Sequence, residues 1–205
     1  MLFYEKYAPL LNMDSPQYDN FVFTGGRGSM KTGHGCRGIL LNILQNTGKK
    51  KKRVVCFRET KTSQKDSLIT EFQGLIDGEF RNRGFRYNSE AIYHAPSGSS
   101  ISFLGLRDSN ANAREALKGL AQVDIWLVDE EQAVSKPVWD VLLKTIRKEG
   151  AKLIVIYNRI EENLPVEEAL FLDYERMQAP KHTYFAEVNY PELVHLGLLS
   201  PRFLE

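Results

Sequence analysis

An α/β fold, with strands and helices alternating along one chain, is predicted by three features of the sequence. The run NFVFT (20–24), β-branched and aromatic, passes directly into glycine-rich GGRGSMKT (25–32) and then into CRGILLNIL (36–44), whose apolar residues recur at helical spacing. A second apolar run, DIWLV (124–128), ends on the carboxylates Asp129, Glu130 and Glu131. Strand-like and helix-like runs alternate through the rest of the chain.

Taken in order, the elements follow from local pattern. NTGKKKKRVVCF (46–57) reads as a turn, a basic run and a strand. SQKDSLITEFQGLIDGEF (63–80) puts Leu68, Phe72, Leu75 and Ile76 on one face of a helix that Ser63 is placed to cap. AIYHA (91–95) and SISFLGL (100–106), joined by PSGS, predict a hairpin. A polar stretch (107–119) leads to the acidic strand. SKPVWDVLLKTIRKEG (135–150) predicts a helix with Ser135 as cap, Pro137 in its first turn and Gly150 at its end. KLIVIYNR (152–159) predicts a buried strand, residues 165–177 a helix opened by Pro165, 182–190 a strand, and the remaining residues a short helix or tail.

Composition narrows the partners. Hydrophobic residues make up 42% of the 205 positions, enough to bury a core. The 27 basic residues nearly balance 26 acidic ones, so a polyanion would have to be held by a local patch. The lysines at 49–52 read either as a solvated edge or as a contact to a nucleic-acid backbone. Cys36 and Cys56 have no disulfide or zinc spacing, which fits a reducing, cytoplasmic compartment. MLFYEKYAPLL carries charges and Pro9 where a signal peptide needs an apolar core, and no run approaches a membrane span. His34, His94, His182 and His195 are scattered and predict no metal site.

The chemistry lies in two motifs. Gly25, Lys31 and Thr32 stand at the spacing of G-x-x-x-x-G-K-[ST], with Gly26, Arg27, Gly28 and Ser29 between them and Met30 in place of the second glycine. In that loop backbone N–H groups cradle phosphates, the lysine reaches the outer phosphates and the hydroxyl holds Mg2+. A tight turn in an α/β protein is the plainer alternative. In a parallel sheet the carboxyl ends of strands line the ligand crevice. Asp129 there is suited to hold the water shell of Mg2+, and Glu130 to orient and deprotonate an attacking water. An acidic helix start would place the same residues. Asn158, at the end of its strand, is within reach of that water or of the γ-phosphate, or serves only as a turn residue.

With these motifs in order, the chain resembles the ATPase domain of large terminase subunits, the DNA-packaging motors of tailed bacteriophages. The likeness is carried by GGRGSMKT as Walker A, FRET (57–60) with DS (66–67), SISFLGLRD, ALKGLAQVDIWLVDEE as Walker B, VWDVLLKTIRK, and VIYNR as a coupling motif. The resemblance implies a P-loop NTPase of the additional-strand, catalytic-glutamate type, its mostly parallel central sheet flanked by helices, with residues 1–205 forming a single ATPase domain. It implies ATP and Mg2+ as ligands, Lys31 and Thr32 on phosphates and metal, Asp129 on metal, Glu130 on water, Asn158 in coupling, and Arg27 as a finger supplied in cis to the γ-phosphate.

By the same analogy the partners are double-stranded DNA, the portal protein and the small terminase subunit. The protein would form a ring-shaped homo-oligomer on the procapsid in the host cytoplasm, its state in solution left open. Arg114, Lys118 and Arg147 are candidates to act on a neighbour's nucleotide. Residues from about 190 to 205 read as a tail or the start of a linker to a nuclease domain, and no nuclease activity is expected from this chain. The departures are Met30, Arg159 where the family often has proline, and Gly33, Gly35 and Gly38 crowding the loop helix. Two other readings stay open, a helicase-like P-loop ATPase and a nucleotide-binding assembly module with little turnover.

Overall fold

The computed structural model describes residues 3–58, 68–105, 120–129, 134–159 and 164–197. Its strands are β1 (Asn20–Thr24), β2 (Arg53–Arg58), β3 (Phe85–Tyr87), β4 (Ala91–His94), β5 (Ser99–Gly105), β6 (Ile125–Asp129), β7 (Lys152–Ile156) and β8 (Thr183–Glu187). They form one sheet ordered β3-β4-β5-β2-β6-β7-β1-β8. Pairing is parallel from β5 to β8, and the predicted hairpin adds β4 antiparallel to β5, with β3 antiparallel beyond it. The strand that opens into the glycine loop, β1, is separated by β7 from β6, which carries the acidic run. This is the extra strand that the resemblance implied.

Every residue of β6 and β7 is buried because the central strands are covered on both faces. Alternation sends Phe21, Phe23, Ile154 and Ile156 to one face and Val22, Leu153 and Val155 to the other. The first face is covered by a 3-10 helix (Glu5–Asn12), α1 (Lys31–Gln45) and α2 (Leu68–Asp77). The second is covered by α3 (Lys136–Thr145) and α4 (Pro165–Ala169), with Trp126 and Trp139 fully buried between the layers. A last short helix, α5 (Tyr190–His195), returns Leu193 to the first face.

Several expectations shift. The helix predicted over 135–150 stops at Thr145, because Ile146 leaves helical geometry with ψ 87°, and Ser135 makes no side-chain cap. Gly150, with φ 71°, forms the turn into β7 instead of ending the helix. The helix predicted over 165–177 stops at Ala169. There the Leu172 N–H donates to Glu167 O and the Phe171 N–H to Glu168 O, with Phe171 left-handed at φ 53°. That is a Schellman ending in which phenylalanine stands where glycine is usual. The strand predicted over 182–190 spans Thr183–Glu187. Ser63 lies outside the described residues, but the apolar face of α2 is as expected, with Leu68, Phe72, Leu75 and Ile76 buried. The 3-10 helix and β3 have no counterpart in the sequence expectations.

The glycines of α1 each admit a different neighbour. A Cβ on Gly38 would stand 2.9 Å from Leu10 Cβ of the 3-10 helix, and one on Gly35 would stand 2.9 Å from Ile156 Cδ1 of β7. A Cβ on Gly33 would meet only the carboxylate end of exposed Glu71, at 2.8 Å. Gly33→Ala should therefore keep or gain stability, up to about 1 kcal/mol, as the flexible Glu71 swings aside. Gly38→Ala should lose about 1–3 kcal/mol, since Leu10 Cβ moves only with its backbone. Urea denaturation of the pair measures both signs. Met30 enters α1 left-handed, at φ 60° and ψ 17°, with its side chain packed on the core. A left-handed residue with a Cβ costs roughly 1–2 kcal/mol. Met30→Gly relieves that and loses packing, whereas Met30→Ala loses packing and keeps the strain. Glycine should thus equal or exceed alanine in stability, reversing the ordinary helix preference of about 1 kcal/mol.

Candidate phosphate-binding site

The carboxyl ends of β1, β2, β6 and β7 open into a cleft of about 680 Å³ lined by the loop after β1 and the first turn of α1. The loop leaves β1 through Gly25, whose φ of 135° and whose Cα, where a Cβ would fall 1.9 Å from Val188 O, admit no side chain. Gly28 follows with φ 78°. Met30 adopts a left-handed backbone itself, so the loop closes onto α1 without the second glycine of the motif.

Lys31 is buried, and its ammonium donates to Gly25 O (2.7 Å), Gly26 O (2.9 Å), Ser29 Oγ (2.7 Å) and Asn158 Oδ1 (3.0 Å). Burial lowers its pKa to about 8, opposed by the charge of Asp129. Beside it the Thr32 hydroxyl donates to Asp129 Oδ1 at 3.0 Å, and Arg58 Nε lies 3.8 Å from Asp129 Oδ2. A hydroxyl and a carboxylate side by side suit a hard cation such as Mg2+, which takes one or two carboxylates and completes its shell with water and phosphate. No cluster of three metal-ligating side chains occurs among the described residues, and such a site needs none.

Gly26, Arg27 and Gly28 are exposed at the cleft, and Ser29, Met30, Lys31 and Thr32 line it. The structure thus brings together Lys31, Thr32, Asp129 and Asn158, with Arg27 at the rim. Glu130, Glu131, Arg114 and Lys118 lie outside the described residues. Arg147 is exposed before β7, next to Lys148, which pairs with Asp124 ahead of β6. It therefore sits at the amino ends of the strands, opposite the cleft. Arg159, in the position of the expected proline, donates to Glu167 Oε1 (3.0 Å) and stacks over Tyr174. Of the lysine run, Lys50 pairs with Asp124 and Lys52 with Asp14, so half of it holds the fold together.

Two groups escape a reading of the sequence. Arg58 ends the buried strand β2 as Asp129 ends β6, and a charge closing an apolar run is the available signal. The other is the N-terminal brace. Tyr4, Tyr7, Leu10 and Met13, all buried, repeat every three residues, the period of a 3-10 helix. The Tyr7 hydroxyl donates to Ser29 O at 2.7 Å, and its ring stacks on His34 at 4.2 Å. His34 and His94 are structural, the latter bonded between Ser97 Oγ and Arg83 O.

Solved structures share this architecture. A large terminase from a thermophilic bacteriophage matches with a TM-score of 0.70 and 14% identity over 98% of this chain and 48% of its own. Structures of that protein include complexes with ADP and with ATP-gamma-S. The ATPase domain of the Thermus phage P74-26 large terminase matches at TM-score 0.58 and 14% identity, over 96% of this chain and 86% of its own. The N-terminal domain of the bacteriophage phi29 DNA packaging ATPase matches at 0.62 and 18%, over 89% and 94%. These likenesses show the fold, a mostly parallel sheet flanked by helices as in those terminase ATPase domains. The chain spans about half the length of the thermophilic phage protein. No curated protein matches it. A family profile described as phage terminase large subunit covers residues 18–195, and the chain belongs to that family.

Proposed function

We propose that this chain is a single ATPase domain that hydrolyses ATP with Mg2+ and uses the energy to move double-stranded DNA into a viral procapsid. The observation that carries the reading is the meeting of the Lys31 ammonium and the Thr32 hydroxyl, at the start of α1, with the Asp129 carboxylate at the carboxyl end of β6, and with Asn158, just past β7, on the lysine. Family membership supports it, as do the nucleotide complexes of the thermophilic phage relative. By family analogy the working form is a ring of copies on the procapsid in the host cytoplasm, joined to the portal protein and the small terminase subunit.

The chain's groups divide the work. The N–H groups of the loop from Gly26 to Met30 face a polyphosphate, and Lys31 exchanges neutral carbonyl acceptors for charged phosphate oxygens, which bind an ammonium more strongly. Thr32 and Asp129 would hold Mg2+, which would supply positive charge against the negative charge that develops on the phosphate oxygens. Glu130, next to Asp129 in sequence, accepts the proton of the attacking water. Arg27, exposed at the rim, offers a two-pronged guanidinium to the γ-phosphate. Asn158, just past β7, gives up its bond as Lys31 turns to the phosphates, so the segment after β7 responds to the nucleotide.

Phosphate release from ATP by purified protein, measured with and without duplex DNA, tests the function; no release under either condition overturns it. Lys31→Ala should abolish release and weaken ATP binding, because the lysine contacts phosphates already in the ground state. Glu130→Gln should cut turnover by about 10²–10⁴ while binding of a fluorescent ATP analogue persists, as a general base acts only while the bond breaks. Arg27→Ala should lower turnover toward the ~10³–10⁵ that such a finger supplies in other P-loop enzymes. Arg27→Lys should recover little of it, since lysine keeps the charge without the fork. Unchanged turnover in Arg27→Lys would make the arginine structural.

A further inference from the structure

We propose that the β3–β4 edge and the adjoining amino ends of β5 and β2 form the surface that holds the phosphate backbone of duplex DNA. The proposal rests on the packaging reading above for its choice of nucleic acid.

Three in-register pairings, Arg86 with Tyr93, Tyr93 with Ser100 and Ser100 with Arg53, run across β3, β4, β5 and β2. Residues directly opposite share a face of the sheet. The row therefore sets two arginines and a tyrosine on one surface, Arg86 and Arg53 exposed and Tyr93 51% exposed. Two more cations flank the turn between β4 and β5. Lys51 Cδ lies 3.9 Å from where a Cβ on Gly98 would be, and Arg83 precedes Gly84, which packs against Pro96 of the same turn. Arg81 is exposed just before them.

Pairing divides the cations, and grouping at one edge of the sheet distinguishes these from Arg27, Lys49, Lys144, Arg147 and Lys181, which also hold no carboxylate among the described residues. Lys6, Arg37, Lys50, Lys52, Lys148, Lys152 and Arg159 each hold a carboxylate. Lys51, Arg53, Arg81, Arg83 and Arg86 hold none among the described residues. Of the nearby acids, Asp77 accepts from the Tyr87 hydroxyl, Glu79 from Arg37, and Asp124 from Lys50, Lys148 and the backbone N–H of Arg53, while Glu90 is exposed between β3 and β4. Five uncompensated cations on a chain of net charge +1 form a local field of the kind that binds phosphates by releasing counterions. Charges on an edge strand also discourage pairing with another chain. That reason covers β3 alone, whereas the row continues inward to Arg53 on β2. A polar sheet face with a tyrosine between arginines offers charge and hydrogen-bond donors but no base-reading helix, which fits a backbone contact independent of sequence.

The test is binding of a fluorescently labelled DNA duplex to the full chain over a range of salt concentrations, with ATP hydrolysis followed in parallel. The triple variant Lys51→Ala, Arg83→Ala, Arg86→Ala should flatten the slope of log affinity against log salt by about 0.9 for each phosphate no longer neutralised, about 2.7 in total. Its DNA-independent ATP hydrolysis should stay at the wild-type rate, because all three side chains are remote from the cleft. Arg83→Lys with Arg86→Lys should bind like wild type, since a phosphate contact needs charge more than shape. Lys181→Ala, before the opposite edge strand β8, should leave the slope unchanged. A wild-type slope in the triple variant overturns the proposed surface and leaves the packaging reading intact. Wild-type protein that hydrolyses ATP but binds no duplex at low salt overturns the packaging reading itself.

Discussion

The buried Lys31 ammonium has three protons and four oxygens around it, and the geometry of the cleft follows from that arrangement. An ammonium taken out of water is stable only where its protons are satisfied. Two of the acceptors are carbonyls of the loop, which sets the loop's curvature; a third is Ser29 Oγ, whose own proton goes to Gly26 O. The fourth, Asn158, lies two residues past the end of β7, and the placement of β7 between β1 and β6 brings that amide to the lysine. The same placement sets Asp129 one strand further away, where it meets Thr32 and raises the lysine's proton affinity against the effect of burial.

A loop held this way needs a rigid outer wall, and the N-terminal 3-10 helix supplies it. Tyr7 binds Ser29 O from outside while His34 closes on Met30 O at 2.9 Å. Burial lowers the His34 pKa to about 4, so the ring is neutral at neutral pH and one nitrogen donates to Met30 O while the other accepts from the Tyr4 N–H. These bonds hold the left-handed backbone at Met30, and they explain why a residue with a side chain is tolerated where the motif has glycine. The wall reaches the far edge of the sheet too, since Tyr4 and Lys6 both bind Glu192 on α5 and Lys6 binds Glu187 O at the end of β8.

Which of this can be read from the sequence depends on the range of the interaction. The Gly25 to Thr32 loop, Asp129 at a strand end and the β4–β5 hairpin are short-range patterns, and they stand where expected. Strand order is a matter of long-range packing; the position of β7 is implied by the family resemblance and by no local spacing. The end of α4 is hidden from a sequence reading because its Schellman turn places Phe171, 82% exposed, where the usual signal is glycine. The brace is hidden because its period of three is neither the strand period nor the α-helical one. For Asn158 the sequence leaves turn and function both open, and its bond to Lys31 places it in the cleft.

The two ends of the sheet differ in chemistry, and β2 spans both. Arg53 begins that strand on the row of unpaired cations, and Arg58 ends it within the cleft, 3.8 Å from Asp129. At a rise of about 3.3 Å per residue the two lie roughly 16 Å apart along one extended segment. Hydrogen-bonded to β5 on one side and β6 on the other, β2 transmits displacement better than it absorbs it. A ligand at one end biases the other only if it binds two arrangements of the strand unequally. Arg58 provides a means for this, because a cation drawn to Asp129 competes with its guanidinium for the same carboxylate. The cleft and the cationic edge are thus the two ends of one strand hydrogen-bonded on both sides, and its end in the cleft lies beside the carboxylate to which a cation would be drawn.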